Sequence, residues 1–151
     1  MSRARMQVLI IPFTQEGDAA KYCILRRSDM LIWQFIAGGG EAGETPLEAA
    51  KRETWEETGI KENTFFYPLE STCSIPTENF STKSRKEWGV DCLVIPEYSF
   101  AARVKTTDIV LSAEHSEYRW VDYIPAIQLL KFDSNKTALW ELDQKIKQKR
   151  I

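Results

Sequence analysis

A helix with both of its ends marked in the sequence is the strongest constraint on how this chain can fold. Directly after "AGGGEAGE", Thr45 supplies a capping hydroxyl, Pro46 suits the first helical position, and Glu48 completes a capping box with Thr45. Gly59 supplies the stop. At about 100° per residue, Leu47, Ala50, Thr54 and Thr58 share one side, while Ala49, Glu53, Glu56 and Glu57 fill an adjoining arc.

That arc gathers like charges. Glu53 faces Glu56 and Glu57 at i+3 and i+4, and each such pair costs an isolated helix roughly 0.2–0.5 kcal/mol. A solvated acidic face, with Arg52 bonded to Glu56 at i+4, would explain an isolated Glu-Glu pair. The glycine run upstream, expected as a loop, shifts the balance, because it lets a loop carbonyl or amide approach a metal or a phosphate closely. A hard divalent cation would reverse the sign of the repulsion, since Mg²⁺ takes oxygen ligands and keeps positions for water and substrate phosphates.

Gly38, five residues, Glu44, seven residues and then "RETWEETGI" resembles the signature of the Nudix hydrolases, which cleave nucleoside diphosphates linked to another group. The fixed positions Gly38, Glu44, Arg52, Glu53, Glu56, Glu57 and Gly59 all match; the departure is Thr54, where the family usually carries an aliphatic residue. The resemblance implies a mixed β-sheet between helices, an α/β/α sandwich of the α+β kind. It implies that Glu56 and Glu57 bind a divalent metal, Mg²⁺ or alternatively Mn²⁺, that Glu53 joins them or orients water, and that Arg52 fixes a carboxylate. In "WQFIAGG", Ile36 and Ala37 stand where a Pro-Gly pair is common, so a carbonyl ligand would come from Ala37 or Gly38. "AEHSEYRWV" resembles a segment that often supplies a further metal-binding or base carboxylate, Glu114 here and otherwise Glu117. "FDSNKTALWEL" resembles the final helix of nucleoside triphosphate pyrophosphohydrolases of the family, with Asn135 placed to read a base edge or, equally, to cap the helix.

The chemistry agrees from below. Cleavage of a phosphoanhydride needs charge neutralised on non-bridging oxygens, an activated water and in-line geometry, and a carboxylate cluster with divalent cations provides these without a covalent nucleophile. Arg26 and Arg27 can hold phosphates, as can the basic turn of Lys83, Arg85 and Lys86, although solvent exposure is the simpler account of the turn. Phe35, Trp33 and Trp88 offer surfaces for stacking a base. The single histidine, His115, is expected at the surface.

Strands are expected at Val8 to Phe13, Lys21 to Leu25, Leu31 to Ala37, Phe65 to Ile75, Trp88 to Ile95 and Tyr118 to Val121, with two closing helices. The length of 151 residues suits one domain, 1–151. A net charge of −2 offers no field for a polyanion, so neither nucleic acid nor an RNA-decapping role is expected. The apolar run from Val8 stops at Pro12, too short for a membrane span, and three scattered cysteines fit a reducing cytoplasm. A small nucleotide is the expected partner, with the protein a monomer or homodimer. The preferred substrate is a triphosphate of the dATP or dihydroneopterin triphosphate type, cut to the monophosphate and pyrophosphate. The alternatives are a dinucleoside polyphosphate or ADP-ribose, weakly suggested by Pro76, or a nucleotide sensor without catalysis, against which the intact glutamates speak.

Overall fold

Val8 to Ile11 form an unbroken apolar run, the mark of a strand covered on both faces. In the computed structural model, which describes residues 2–151, they lie at 0% exposure in the middle of a sheet. The elements follow as β1 (Arg3–Glu16), β2 (Ala19–Arg27), β3 (Trp33–Gln34), β4 (Ile36–Glu41), α1 (Pro46–Thr58), β5 (Phe65–Pro76), α2 (Thr82–Trp88), β6 (Val94–Arg103), β7 (His115–Val121), α3 (Tyr123–Leu129) and α4 (Asp133–Lys147). The strands form one seven-stranded mixed sheet, in which β1 runs parallel to β6 and antiparallel to β2 and β4.

β1 and β2 pair only near their turn, from Phe13↔Tyr22 to Glu16↔Ala19, and then separate. The returning chain fills the fork: β3 pairs with β2 at Leu25↔Gln34, and β4 pairs with β1 from Gln7↔Gly39 to Ile10↔Ile36. Successive side chains point to opposite faces. Val8, Ile10 and Ile36 therefore pack with Ala49 and Ala50 of α1, while Leu9, Ile11 and Phe35 pack with Leu139 and Leu142 of α4. Helices thus cover both faces of the mixed sheet, as the resemblance implied.

α4 is also tied to β5. Glu141 accepts the backbone N–H groups of Glu70 at 2.7 Å and Ser71 at 2.8 Å, where the β5–β6 register shifts, and it pairs with Lys145 at 2.8 Å. Burial alone would push its carboxyl up, but these donors outweigh it and hold the group down at about 2.

Three expectations are corrected. The segment Trp88 to Ile95 is not one strand: Ser81 caps α2 by accepting the N–H of Ser84 at 3.2 Å, Ser84 and Trp88 are buried at i and i+4, and Gly89 with φ 94° turns the chain out. The strand comes later, at Val94–Arg103, where β1 and β5 on either side supply the hydrogen bonds that Pro96 and two alanines would not promise alone. The glycine run is not a loop, because Gly38 to Gly40 lie inside β4. The span Leu31 to Ala37 is broken, since Leu31 has φ 53° and β3 is only two residues long.

Leu139 is fully buried and anchors α4, whereas its neighbour Trp140 is 56% exposed. Leu139→Ala should lower the unfolding free energy by about 2–5 kcal/mol and Trp140→Ala by under about 1 kcal/mol, read from urea transitions.

Candidate active site

Both helix caps hold. Thr45 accepts the N–H of Glu48 at 3.2 Å, the Glu48 carboxylate accepts the N–H of Thr45 at 3.0 Å, and Gly59 has φ 72°. α1 is fixed in rotation by Ala49, Ala50, Thr54 and Thr58, all at 0% exposure, while Leu47, assigned to the same stripe, is 39% exposed. Thr54 satisfies its hydroxyl by donating to the Ala50 carbonyl at 2.7 Å, which explains how a polar residue sits where an aliphatic one is usual.

Arg52 ties the helix to the segment before it. Its Nε and Nη2 donate to the two oxygens of Glu44 at 2.8 and 2.9 Å, its Nη2 also to the Gly39 carbonyl at 2.8 Å, and its Nη1 to Glu53 at 3.0 Å and Glu56 at 3.2 Å. Glu44 is held below the usual carboxylate range by this fork. Burial pushes Glu53 up, and Arg52 opposes that shift. The Glu53 carboxyl lies against the backbone of Gly38 so closely that a Cβ at that position would overlap it. Gly38 is required for that approach.

Glu57 is 2% exposed, and neither of its oxygens has a hydrogen-bond partner. Burial first, then Glu114, Glu53 and Glu56, push its carboxyl up to about 10. A proton shared with Glu114 would let the two bond; with both ionised, neither can donate. Glu57, Glu114 and His115 each offer a ligand atom, and the three atoms lie within 4.8 Å of one another. Glu114 is brought there by its loop, since Ser28 donates through its N–H to the Glu114 carbonyl at 2.9 Å and through its hydroxyl to the Ala113 carbonyl at 2.9 Å. Glu117 instead faces Arg26 and Arg119 on β7.

His115 is not a surface residue. It is 4% exposed, with burial as the main cause lowering its pKa, so the ring is neutral at pH 7. Gln34 donates to Nε2 at 3.2 Å, which leaves the proton on Nδ1, 3.8 Å from Glu57. Its sequence signal was indirect: only the register Arg27↔His115 turns it inward.

The cluster opens into a cleft of about 970 Å³ that runs past Gln34, Ala37, Gln7 and Glu97 to Phe80, Phe132 and Asn135. Asn135 is 3% exposed and does not cap its helix; its Oδ1 accepts the Phe35 N–H at 2.8 Å. Arg27 lines the cleft, with its guanidinium paired to Asp29 at 2.6 Å, but Arg26 is turned toward Glu117 at 3.7 Å. Phe35, at 0% exposure, and Trp33 and Trp88, at 8% and 6%, are core residues with no face free for a base. Gln7, Glu97 and Cys73 also line the cleft and carry no motif in the sequence; Gln7 alone is marked, as a polar residue leading the apolar face of Leu9, Ile11 and Phe13.

A divalent cation fits the donor set. The orphaned oxygens of Glu57 lie beside Glu114, and a cation there would offset the repulsion that burial magnifies, whereas His115, with its proton on Nδ1, would ligate only in its other tautomer.

The NUDIX domain family matches residues 3–140. A protein of Listeria monocytogenes described as a NUDIX hydrolase has the same fold with a TM-score of 0.84, at 44% identity over 95% of either chain. The dihydroneopterin triphosphate diphosphatase of Escherichia coli K12 is 30% identical over 89% of each protein, and the asymmetrical bis(5'-nucleosyl)-tetraphosphatase of Rattus norvegicus is 34% identical over 83% of this chain and 80% of its own length. An octanoyltransferase of Myxococcus xanthus is 31% identical over 77% of this chain, which spans only 30% of that longer protein.

Because the folded pKa of Glu57 is raised from 4.5 to about 10, its contribution to stability is full below pH 4.5 and is lost as pH rises toward 10. In EDTA the wild type should therefore melt progressively lower across that interval. Glu57→Gln should flatten the dependence and melt about 2–4 °C above wild type at pH 8.

Proposed function

The chain belongs to the NUDIX family and is a hydrolase of phosphoanhydride bonds, and from that premise we propose that it converts a purine-like nucleoside triphosphate to the monophosphate and pyrophosphate. The observation that carries the reading is the continuity of the cleft, which joins a carboxylate end at Glu57 and Glu114 to an amide end at Asn135. Similarity to the Escherichia coli dihydroneopterin triphosphate diphosphatase supports a triphosphate as substrate.

Glu53, Glu56, Glu57 and Glu114 are the residues that would hold Mg²⁺ or Mn²⁺, with a backbone carbonyl from Ala37 or Gly38 and with His115 beside them. A bound divalent cation supplies charge neutralisation on the phosphate oxygens and makes water more acidic. Arg52 bridges Glu53 and Glu56 through Nη1, and its bonds to Glu44 and Gly39 stop the helix from shifting when the triphosphate's charge arrives. Neutral His115, anchored by Gln34, points its Nδ1–H toward Glu57, 3.8 Å away. Arg27 stands at the rim, where its guanidinium can leave the exposed Asp29 for a phosphate. Asn135, with its Oδ1 occupied and one Nδ2–H given to Ser134 at 3.3 Å, keeps one N–H donor for the ring.

A second reading, cleavage of a dinucleoside polyphosphate, is favoured by the similarity to the rat tetraphosphatase. The two differ in products. With dATP, GTP and dihydroneopterin triphosphate in Mg²⁺, phosphorus NMR should show pyrophosphate and a monophosphate; orthophosphate and a diphosphate would contradict the cut. Turnover of diadenosine tetraphosphate alone would select the second reading. Glu56→Gln and Glu57→Gln should each lower kcat about a hundredfold or more while the folded circular dichroism spectrum is kept.

A further inference from the structure

Glu97 takes no part in the carboxylate cluster, yet it is 5% exposed and lines the same cleft. It sits opposite Gln7 where β1 and β6 run parallel, on the face that carries Leu9, Ile11 and Ala101 into the core. A charged side chain on that face is expensive unless its acceptor positions are filled.

The filling is incomplete. Arg3 Nη2 donates to Gln7 Oε1 at 3.0 Å, which turns the amide so that Gln7 Nε2 donates to Glu97 Oε2 at 3.0 Å. The other oxygen meets the thiol of Cys73 at 3.5 Å, a weak donor. A carboxylate has about four acceptor positions, so both oxygens retain capacity. Gln7 is held in place from behind, and the carboxylate it orients belongs to the wall of the cleft.

We propose that Glu97 selects the ring of the substrate, accepting the adjacent ring N–H and amino group of a 2-amino-4-oxopyrimidine unit, as found in guanine and in pterins, and favouring it over adenine. The inference deepens the triphosphate reading of the cleft and rests on it. Two parallel N–H donors match the two oxygens of a carboxylate, the arrangement that makes bidentate charge-assisted pairs strong. Adenine offers one amino donor beside a ring nitrogen lone pair, which would face a carboxylate oxygen and repel it. Phe80, Phe132, Ile75 and Pro76 give the ring apolar walls. The donor character of Asn135 is complementary as well, since a 4-oxo group accepts where an amino group cannot.

The test uses the intact protein and ligands that need no turnover. Dissociation constants for GMP, 1-methyl-GMP, IMP and AMP are measured in EDTA from protein amide NMR shifts, and the corresponding triphosphates are followed as substrates in Mg²⁺. In the wild type, GMP should bind at least about tenfold tighter than each of the other three, because 1-methyl-GMP lacks the ring N–H, IMP lacks the amino group and AMP lacks both the pattern and the oxo group. Glu97→Gln should bring GMP and AMP within about twofold of one another. Equal affinities in the wild type, or the same ranking in Glu97→Gln, overturn the role of Glu97. The ligand series in the wild type decides the matter even if the variant fails to fold. A ranking present without triphosphate hydrolysis sinks the triphosphate reading and leaves the ring selection standing; hydrolysis without a ranking does the reverse. A wild type that binds none of the four monophosphates at millimolar concentration overturns the ring selection, and hydrolysis alone then decides the triphosphate reading.

Discussion

The guanidinium of Arg52 is the contact on which the site's construction depends. Five N–H donors in a rigid fork reach Glu44, Glu53, Glu56 and the carbonyl of Gly39, so one side chain joins the end of β4, the turn before the helix and the acidic face of α1. Removing that cation would leave Glu53, already pushed up by burial, without its only opposing charge among the causes of its shift. Lysine could not replace it, since a single ammonium has no planar fork to span a carboxylate and a carbonyl at once.

What Arg52 does not neutralise is Glu57. Its carboxyl is buried among carboxylates with no donor to satisfy either oxygen, an arrangement that opposes folding. The capped ends of α1 and the fully buried Ala49, Ala50, Thr54 and Thr58 hold the helix against that strain, with no further bonds to the glutamate itself.

The fork between β1 and β2 explains why a cleft exists at all. Had the hairpin stayed paired to its ends, β3 and β4 would have had no place inside the sheet, and Gln34, Ala37 and Gly38 would not stand between the acidic helix and the face that carries Gln7 and Glu97. Alternation along β4 then divides the labour: Gly38 turns to α1 and leaves room for Glu53, while Ala37 turns to the cleft. No helix among the described residues is long and apolar enough to cross a membrane, and the two helical layers bury the sheet instead.

Local chemistry wrote the parts that depend on neighbours in the chain. Thr45, Pro46, Glu48 and Gly59 delimit α1 because caps act over three or four residues, and the spacing of Glu53, Glu56 and Glu57 on one arc follows from helical geometry alone. The acidic patch and the spacing that carries the family resemblance were therefore legible in the sequence. Whatever depends on strand register was not. His115 looked like a surface residue until its pairing with Arg27 turned it inward beside Glu57. Phe35 looked like a platform for a base until the core claimed its ring and Asn135 claimed its N–H. Glu114 and Glu117 could not be separated in sequence, because a loop carbonyl bonded to Ser28 decides which acid meets the cluster. Glu97 became part of the cleft only through pairing with Gln7, 90 positions away. Such contacts are set by which strands adjoin, a choice made by burial of two apolar faces together, and no short window of sequence contains it.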